Sequence, residues 1–353
     1  MPSITLSHLT RSLPLMAFLL LGGCSSVNYY DQLVSGQLQL LRARQPVTQV
    51  IADPTRSPRL RQMLEQSQEA RTFASRQLRL PDNRSYRLYA DLGRPYVVWN
   101  VFATGEFSLE PVTHCFPIAG CVAYRGYYSV GEARGAAALQ RQAGQDVYVS
   151  GVEAYSTLGW FDDPILSSML GWGDERLATL IFHELAHQQF YVKDDSEFNE
   201  SFASFVEQEG TRQWRAARGL PAERLSQSRQ RDQFTQLVLD TRERLKRLYS
   251  QTLNAEQMRE GKAAEFELLR KNYRALRDTQ WAGDKRYDAW INAPLNNAKL
   301  LPFGLYDQWV PAFAALFKQV NGDWTAFYAE VERLGGLPMA ERKTALRGLF
   351  RTD

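Results

Sequence analysis

His183 and His187 stand four residues apart with Glu184 beside the first, in the run His183-Glu184-Leu185-Ala186-His187. On a helix, residues at that spacing lie one above the other, so both imidazoles face one point with the carboxylate next to it. Two neutral imidazoles on one face can hold a divalent cation, zinc above all. A neighbouring carboxylate is then placed to take a proton from a water at the same point. The chemistry this permits is metal-assisted hydrolysis. The chain has only four histidines, which makes two at this spacing more telling; a helix that binds nothing is the bland alternative. Leu177, Leu180, Ile181, Phe182 and Leu185 supply a buried side for such a helix, beginning at Asp174.

An open tetrahedral site needs a third protein ligand. The astacin-like spacing would place Gly and His after His187 at positions held by Phe190 and Lys193, which excludes it. A glutamate from a following helix is the other route, and Phe198-Asn199-Glu200-Ser201-Phe202-Ala203 offers Glu200. Its rivals, Glu197 and Glu207, read as solvated helix charges. Attack on a carbonyl also makes an oxyanion that a second donor should stabilise. Tyr306 is the candidate, following the turn-rich stretch Asn296-Asn297-Ala298 and Pro302-Phe303-Gly304; packing at a helix start is its alternative role. Asn296 and Asn297 are candidate contacts to a substrate backbone, or caps of the adjoining turn.

The pair His-Glu-Leu-Ala-His and Phe-Asn-Glu-Ser-Phe-Ala resembles the gluzincin metallopeptidases. With Ala154-Tyr155-Ser156-Thr157-Leu158-Gly159-Trp160 upstream and Leu295-Asn296-Asn297-Ala298 downstream, most of the chain resembles a bacterial family of lipoprotein zinc aminopeptidases. That resemblance implies His183, His187 and Glu200 as zinc ligands and Glu184 as general base. Three features depart from better-known relatives. Only twelve residues separate His187 from Glu200, a shorter connection than in thermolysin-like relatives; Ser204 stands where those relatives often place an aspartate behind a ligand; and the Gly-x-Met-Glu-Asn element that binds a free amine is absent.

Arg11 precedes an apolar run, Leu13 to Leu21, too short to span a bilayer and proportioned like a secretory signal. The ending Leu21-Gly22-Gly23-Cys24 resembles a bacterial lipobox, which implies removal of residues 1–23 and lipidation of Cys24. Ser25 after it favours the outer membrane, facing the periplasm. The other two cysteines, Cys115 and Cys121, enclose five residues including Pro117 and Gly120, and a disulfide is expected in that oxidising compartment. His114 beside them reads as a loop histidine without a role.

Composition is that of a folded chain of 353 residues, 44% hydrophobic and 23% charged. With 42 basic and 39 acidic residues the formal charge is +3, a balance that does not imply a nucleic-acid partner.

The elements that must position the site follow from periodicity. Helical spacing covers Tyr29 to Gln45 and Ser57 to Leu78. Aromatic and β-branched residues at Tyr86–Ala90, Tyr96–Ala103, Val122–Val130 and Val147–Gly151 read as a small antiparallel sheet beside the zinc helix. Residues Ala154 to Gly159, with Ala154, Tyr155 and Ser156 in front, are the expected edge to which a substrate adds as a strand. Glu153 could bind its amine or be structural. After Glu200 the helix runs to about Arg218, and charged helices follow at Glu223–Tyr249 and Ala255–Arg277. Three terminal helices, near 306–319, 323–334 and 339–349, complete the chain.

The expectation is therefore an α+β, mainly α-helical zinc peptidase. It divides into a removed signal (1–23), a lipid anchor with N-terminal helices (24–85), a catalytic sheet with zinc-binding helices (86–218) and a helical C-terminal region (219–353). Its partners are a peptide or protein substrate and the membrane through the lipid. An envelope endopeptidase and a non-catalytic zinc-binding lipoprotein are the alternatives.

Overall fold

The computed structural model describes residues 29–116, 120–154, 157, 160–171, 173–221 and 225–349. The expected signal peptide, the lipidation site Cys24, and Tyr155 and Ser156 of the expected substrate edge lie outside the described residues.

The described chain opens with α1 (residues 29–42), β1 (Arg44–Pro46), α2 (Val47–Ala52) and α3 (Pro58–Arg76). Ser57 begins α3 by accepting the Leu60 N–H at 3.2 Å, with proline in the first turn, where a missing N–H costs nothing. Strands β2 (Leu88–Ala90), β3 (Val98–Thr104), β4 (His114–Phe116), β5 (Gly120–Val122) and β6 (Arg125–Tyr127) follow. Then come α4 (Val130–Gln142), β7 (Asp146–Val152) and β8 (Ile165–Leu166).

These strands form three small sheets instead of the single one expected. Strand β3 is central in the order β6-β3-β7, antiparallel throughout. Strand β2 joins β1 antiparallel and β8 parallel, and β4 and β5 make a hairpin. The expected strand Val122–Val130 is broken: it ends in β6, and Val130 already belongs to α4.

Helix then dominates, with α5 (Asp174–Gln189), α6 (Ser196–Ala217), α7 (Leu225–Tyr249), α8 (Ala255–Thr279), α9 (Asp288–Asn292), α10 (Leu301–Tyr306), α11 (Val310–Gln319), α12 (Trp324–Gly335) and α13 (Met339–Leu349). One apolar core runs from Leu40 on α1 to Leu346 on α13 and contains the inner face of α5. A second joins α7 and α8 around Phe234, Leu269 and Tyr273. No helix among the described residues is long and apolar enough to cross a membrane.

Two contacts fix α6 against its neighbours. At Gly210 a Cβ would come within 2.7 Å of Leu78 Cδ1 and 3.1 Å of Phe182 Cδ2, so glycine lets α6 press on α5 and on the end of α3. At the other end, Asp195 accepts the Phe198 N–H at 3.1 Å, capping α6, and pairs with Arg342 of α13 at 3.1 Å. Asn199 closes the α5–α6 connection from both sides, donating to the Val192 carbonyl at 2.7 Å and accepting the Val192 N–H at 2.8 Å. Glu200 is the next residue on that anchored turn.

Candidate metal centre and catalytic pocket

On α5, Leu177, Ile181, Phe182, Leu185 and Ala186 are fully buried in the core. Helical geometry therefore turns His183 and His187 toward the neighbouring wall, their rings 4.9 Å apart and nearly perpendicular. Helix α6 lies opposite and brings Glu200 between them. Its Oε2 is 3.5 Å from His183 Nε2 and 3.4 Å from His187 Nε2. The three ligand atoms lie within 4.8 Å of one another, and all three residues are buried. Glu184, only 6% exposed, stands on the same helix between the two histidines.

Behind His183 the structure corrects one expectation. Glu207, read from sequence as a solvated charge, places Oε2 2.9 Å from His183 Nδ1. Its other oxygen accepts from Arg176 at 3.2 Å, and Arg176 lies 3.7 Å from Glu153. Ser204 offers no carboxylate, and Glu207, three residues on, supplies one behind His183. Glu153 thus belongs to this charged chain; its backbone carbonyl accepts from Ser168 Oγ at 2.6 Å.

Electrostatics agree with a cation site. Burial opposes charge on Glu200, yet His187 and His183 hold its carboxyl below the ordinary range. Burial likewise works against an imidazolium at His183, but hydrogen bonds to Glu200 and Glu207 raise its pKa. The pocket thus favours positive charge at His183 and negative charge at Glu200. Glu184 differs: burial pushes it up to about 7, with His183 and His187 acting in the opposite direction.

Beside these residues lies a cavity of about 350 Å³, lined also by Tyr124, Tyr191 and Tyr306. Tyr306 stacks on His183 with centroids 6.1 Å apart and hydrogen-bonds Glu200. Burial raises its phenol pKa well above the usual value, which keeps it a neutral O–H donor. Ala154 is on the wall, two residues beyond the end of β7. Phe116 and Val122 of the β4–β5 hairpin line the cavity too. The Cys115–Cys121 disulfide forms across that hairpin, and Asp194 accepts the Cys121 N–H at 2.5 Å, tying the hairpin to the α5–α6 connection. His114 is on β4 opposite Val122.

Asn296 and Asn297 are placed differently. Asn296 caps Lys299 N–H at 2.9 Å and donates to the Val147 carbonyl at 3.0 Å. Asn297, fully buried, donates to the carbonyls of Glu106 and Ser108 at 3.0 Å and accepts from Tyr249 at 2.9 Å. They latch β7 and the loop after β3 onto the C-terminal helices, and neither is among the cavity's lining residues.

The donor set fits a zinc ion. Ligand bonds of about 2.0–2.1 Å in tetrahedral geometry place ligand atoms roughly 3.3 Å apart, close to the two histidine-to-glutamate separations. Two imidazoles with one carboxylate leave a tetrahedral position open to a fourth ligand, and Glu184 lies nearby outside the set.

A family model described as "Putative aminopeptidase" matches residues 28–346, and the chain belongs to that family. Comparison with curated proteins and with solved structures finds no match.

Proposed function

We propose that this member of the "Putative aminopeptidase" family is a zinc-dependent peptidase of the bacterial envelope, with His183, His187 and Glu200 as ligands and Glu184 as general base. The observation that carries the reading is the convergence of Glu200 Oε2 on both Nε2 atoms, 3.5 and 3.4 Å away, beside a buried carboxylate that is not in the triad.

When bound, zinc polarises the scissile carbonyl and lowers the pKa of a water to near neutrality. Glu184, buried and outside the ligand set, is placed to accept that water's proton and to return it to the leaving amine. Tyr306 donates its hydroxyl to the carbonyl oxygen as negative charge builds there. Ala154, on the cavity wall, is placed to align a substrate backbone alongside α5. The family's description supports removal of residues from a chain end over cleavage within a long extended segment. Export is supported by the lipobox-like Leu21-Gly22-Gly23-Cys24 and by a disulfide at Cys115–Cys121, a bond at home in an oxidising compartment.

The test uses chain lacking residues 1–24, loaded with zinc and incubated with a mixed peptide pool, with new termini read by mass spectrometry. Stepwise N-terminal loss is expected, falling about 10²- to 10⁴-fold in a Glu184→Gln variant that still binds zinc. Internal cuts would replace aminopeptidase by endopeptidase action. No cleavage by zinc-loaded protein would favour a binding lipoprotein.

A further inference from the structure

The cavity beside the triad is walled by five separate elements that each contribute an apolar side chain: Leu33 from α1, Val98 from β3, Phe116 from β4, Val122 from β5 and Val152 from β7. Among its described lining residues there is no lysine or arginine, and the carboxylates are Glu184 and Glu200, both already committed to the reaction. A charged side chain entering this space would meet only neutral amide and hydroxyl groups, such as Asn100, Tyr124 and Tyr191, and no free opposite charge, whereas an apolar one loses nothing it needs.

The α1 wall is built to stay. Gln32 accepts the Tyr128 N–H at 2.9 Å, and Gln37 accepts from the Tyr128 hydroxyl at 2.8 Å. Between them Gly36 sits directly on the Tyr128 ring, where a Cβ would meet Cγ at 2.3 Å. These contacts hold Leu33 over the cavity, next to Tyr29, which is 6% exposed and packs edge-on against Tyr127.

From this we infer that the cavity is the subsite for a large apolar or aromatic side chain next to the scissile bond, and that Leu33 sets its depth. The inference rests on the peptidase reading of the same site. It identifies the substrate class as peptides whose cleaved bond adjoins a residue such as Phe, Leu, Met or Tyr.

The experiment measures kcat/KM of the zinc-loaded mature chain on peptides that differ only at the residue adjoining the cut, together with a Leu33→Trp variant. Wild type should favour Phe and Leu over Asp, Glu, Lys and Arg by about a hundredfold. Leu33→Trp should lose roughly tenfold or more on Phe peptides while Ala peptides change less than about twofold. Equal rates across the panel, a preference for charged residues, or equal loss on Phe and Ala peptides would overturn the subsite. If wild type cleaves none of them, the peptidase reading falls instead. Calorimetry of Phe- and Asp-bearing tripeptides on Glu184→Gln protein then decides the subsite: preference for Phe upholds it, and equal or absent binding overturns it.

Discussion

Glu207 Oε2 lies 2.9 Å from His183 Nδ1, and Glu200 Oε2 lies 3.5 Å from Nε2 of the same ring. One imidazole is thus held between two glutamates seven residues apart on α6. An N–H at Nδ1 donated to Glu207 leaves the Nε2 lone pair facing the cation site, which selects both tautomer and ring orientation.

Removing that acceptor frees the ring without removing a ligand. Glu207→Ala is expected to lower zinc affinity about 10- to 100-fold, while Glu207→Gln, whose amide oxygen still accepts from Nδ1–H, should lose less. Competition against a chromophoric chelator measures both. Unchanged affinity in the alanine variant would leave Glu207 a merely structural charge.

Zinc binding should also report as stability. A ligand held only by the folded chain stabilises it by about 4 kcal/mol at a thousand times its Kd. Thermal unfolding should therefore shift down on chelation and recover when zinc is restored. Glu200→Ala and His187→Ala should abolish the zinc-dependent shift. A Glu200→Ala protein with the full shift would remove Glu200 from the ligand set.

The triad could be read from sequence because its geometry is local: four residues along α5, then an asparagine and glutamate one connection later on α6. Glu207 could not, because a glutamate two turns along a helix from Glu200 looks the same whether it faces solvent or a buried imidazole. Only the close crossing of α5 and α6 at Gly210 tells them apart. Helix α4 is not legible in the sequence because its inner face is made of alanines, Ala133 and Ala137 being the buried residues, and gives no apolar stripe. The parallel pairing of β2 with β8 joins Tyr89 to Ile165, a separation at which short strands carry no partner signal. Tyr124 and Tyr191, among sixteen tyrosines, are distinguished only by the fold that gathers them. Asn296 and Asn297 suggest substrate contacts by residue type alone, and the structure engages both in internal hydrogen bonds.

The buried ion pair of Asp195 with Arg342, whose side chains are 4% and 5% exposed, ties α13 to the turn that presents Glu200. Breaking one side of such a pair strands the other charge, at a cost of about 3–5 kcal/mol. Arg342→Ala should therefore lower unfolding free energy in urea by about that amount. Combining Asp195→Asn with Arg342→Met should recover most of the loss, because the amide still accepts the Phe198 N–H and no charge remains buried. A double variant as unstable as the single one would assign the loss to the guanidinium's other contacts, its hydrogen bond to the Gly335 carbonyl at 2.8 Å and its packing over the Phe198 ring.

Burial of Asp163 sets the direction of a pH dependence of stability. It is 5% exposed, and Oδ2 accepts from Thr157 N–H at 3.0 Å and Gln188 Nε2 at 3.1 Å. Burial nevertheless dominates and pushes its pKa from 3.8 to about 6. The folded chain thus binds this proton more tightly than the unfolded chain. The stability it contributes is complete below about pH 4 and is lost as pH rises through about 6. A shift of two units corresponds to about 3 kcal/mol at most. Asp163→Asn cannot ionise and keeps an acceptor for Thr157, so it should gain on the wild type as pH rises from 4 to 7, with both proteins metal-free. Urea unfolding at four pH values across that range measures the difference. A difference that stays flat would mean that the two hydrogen bonds, rather than burial, control the carboxylate.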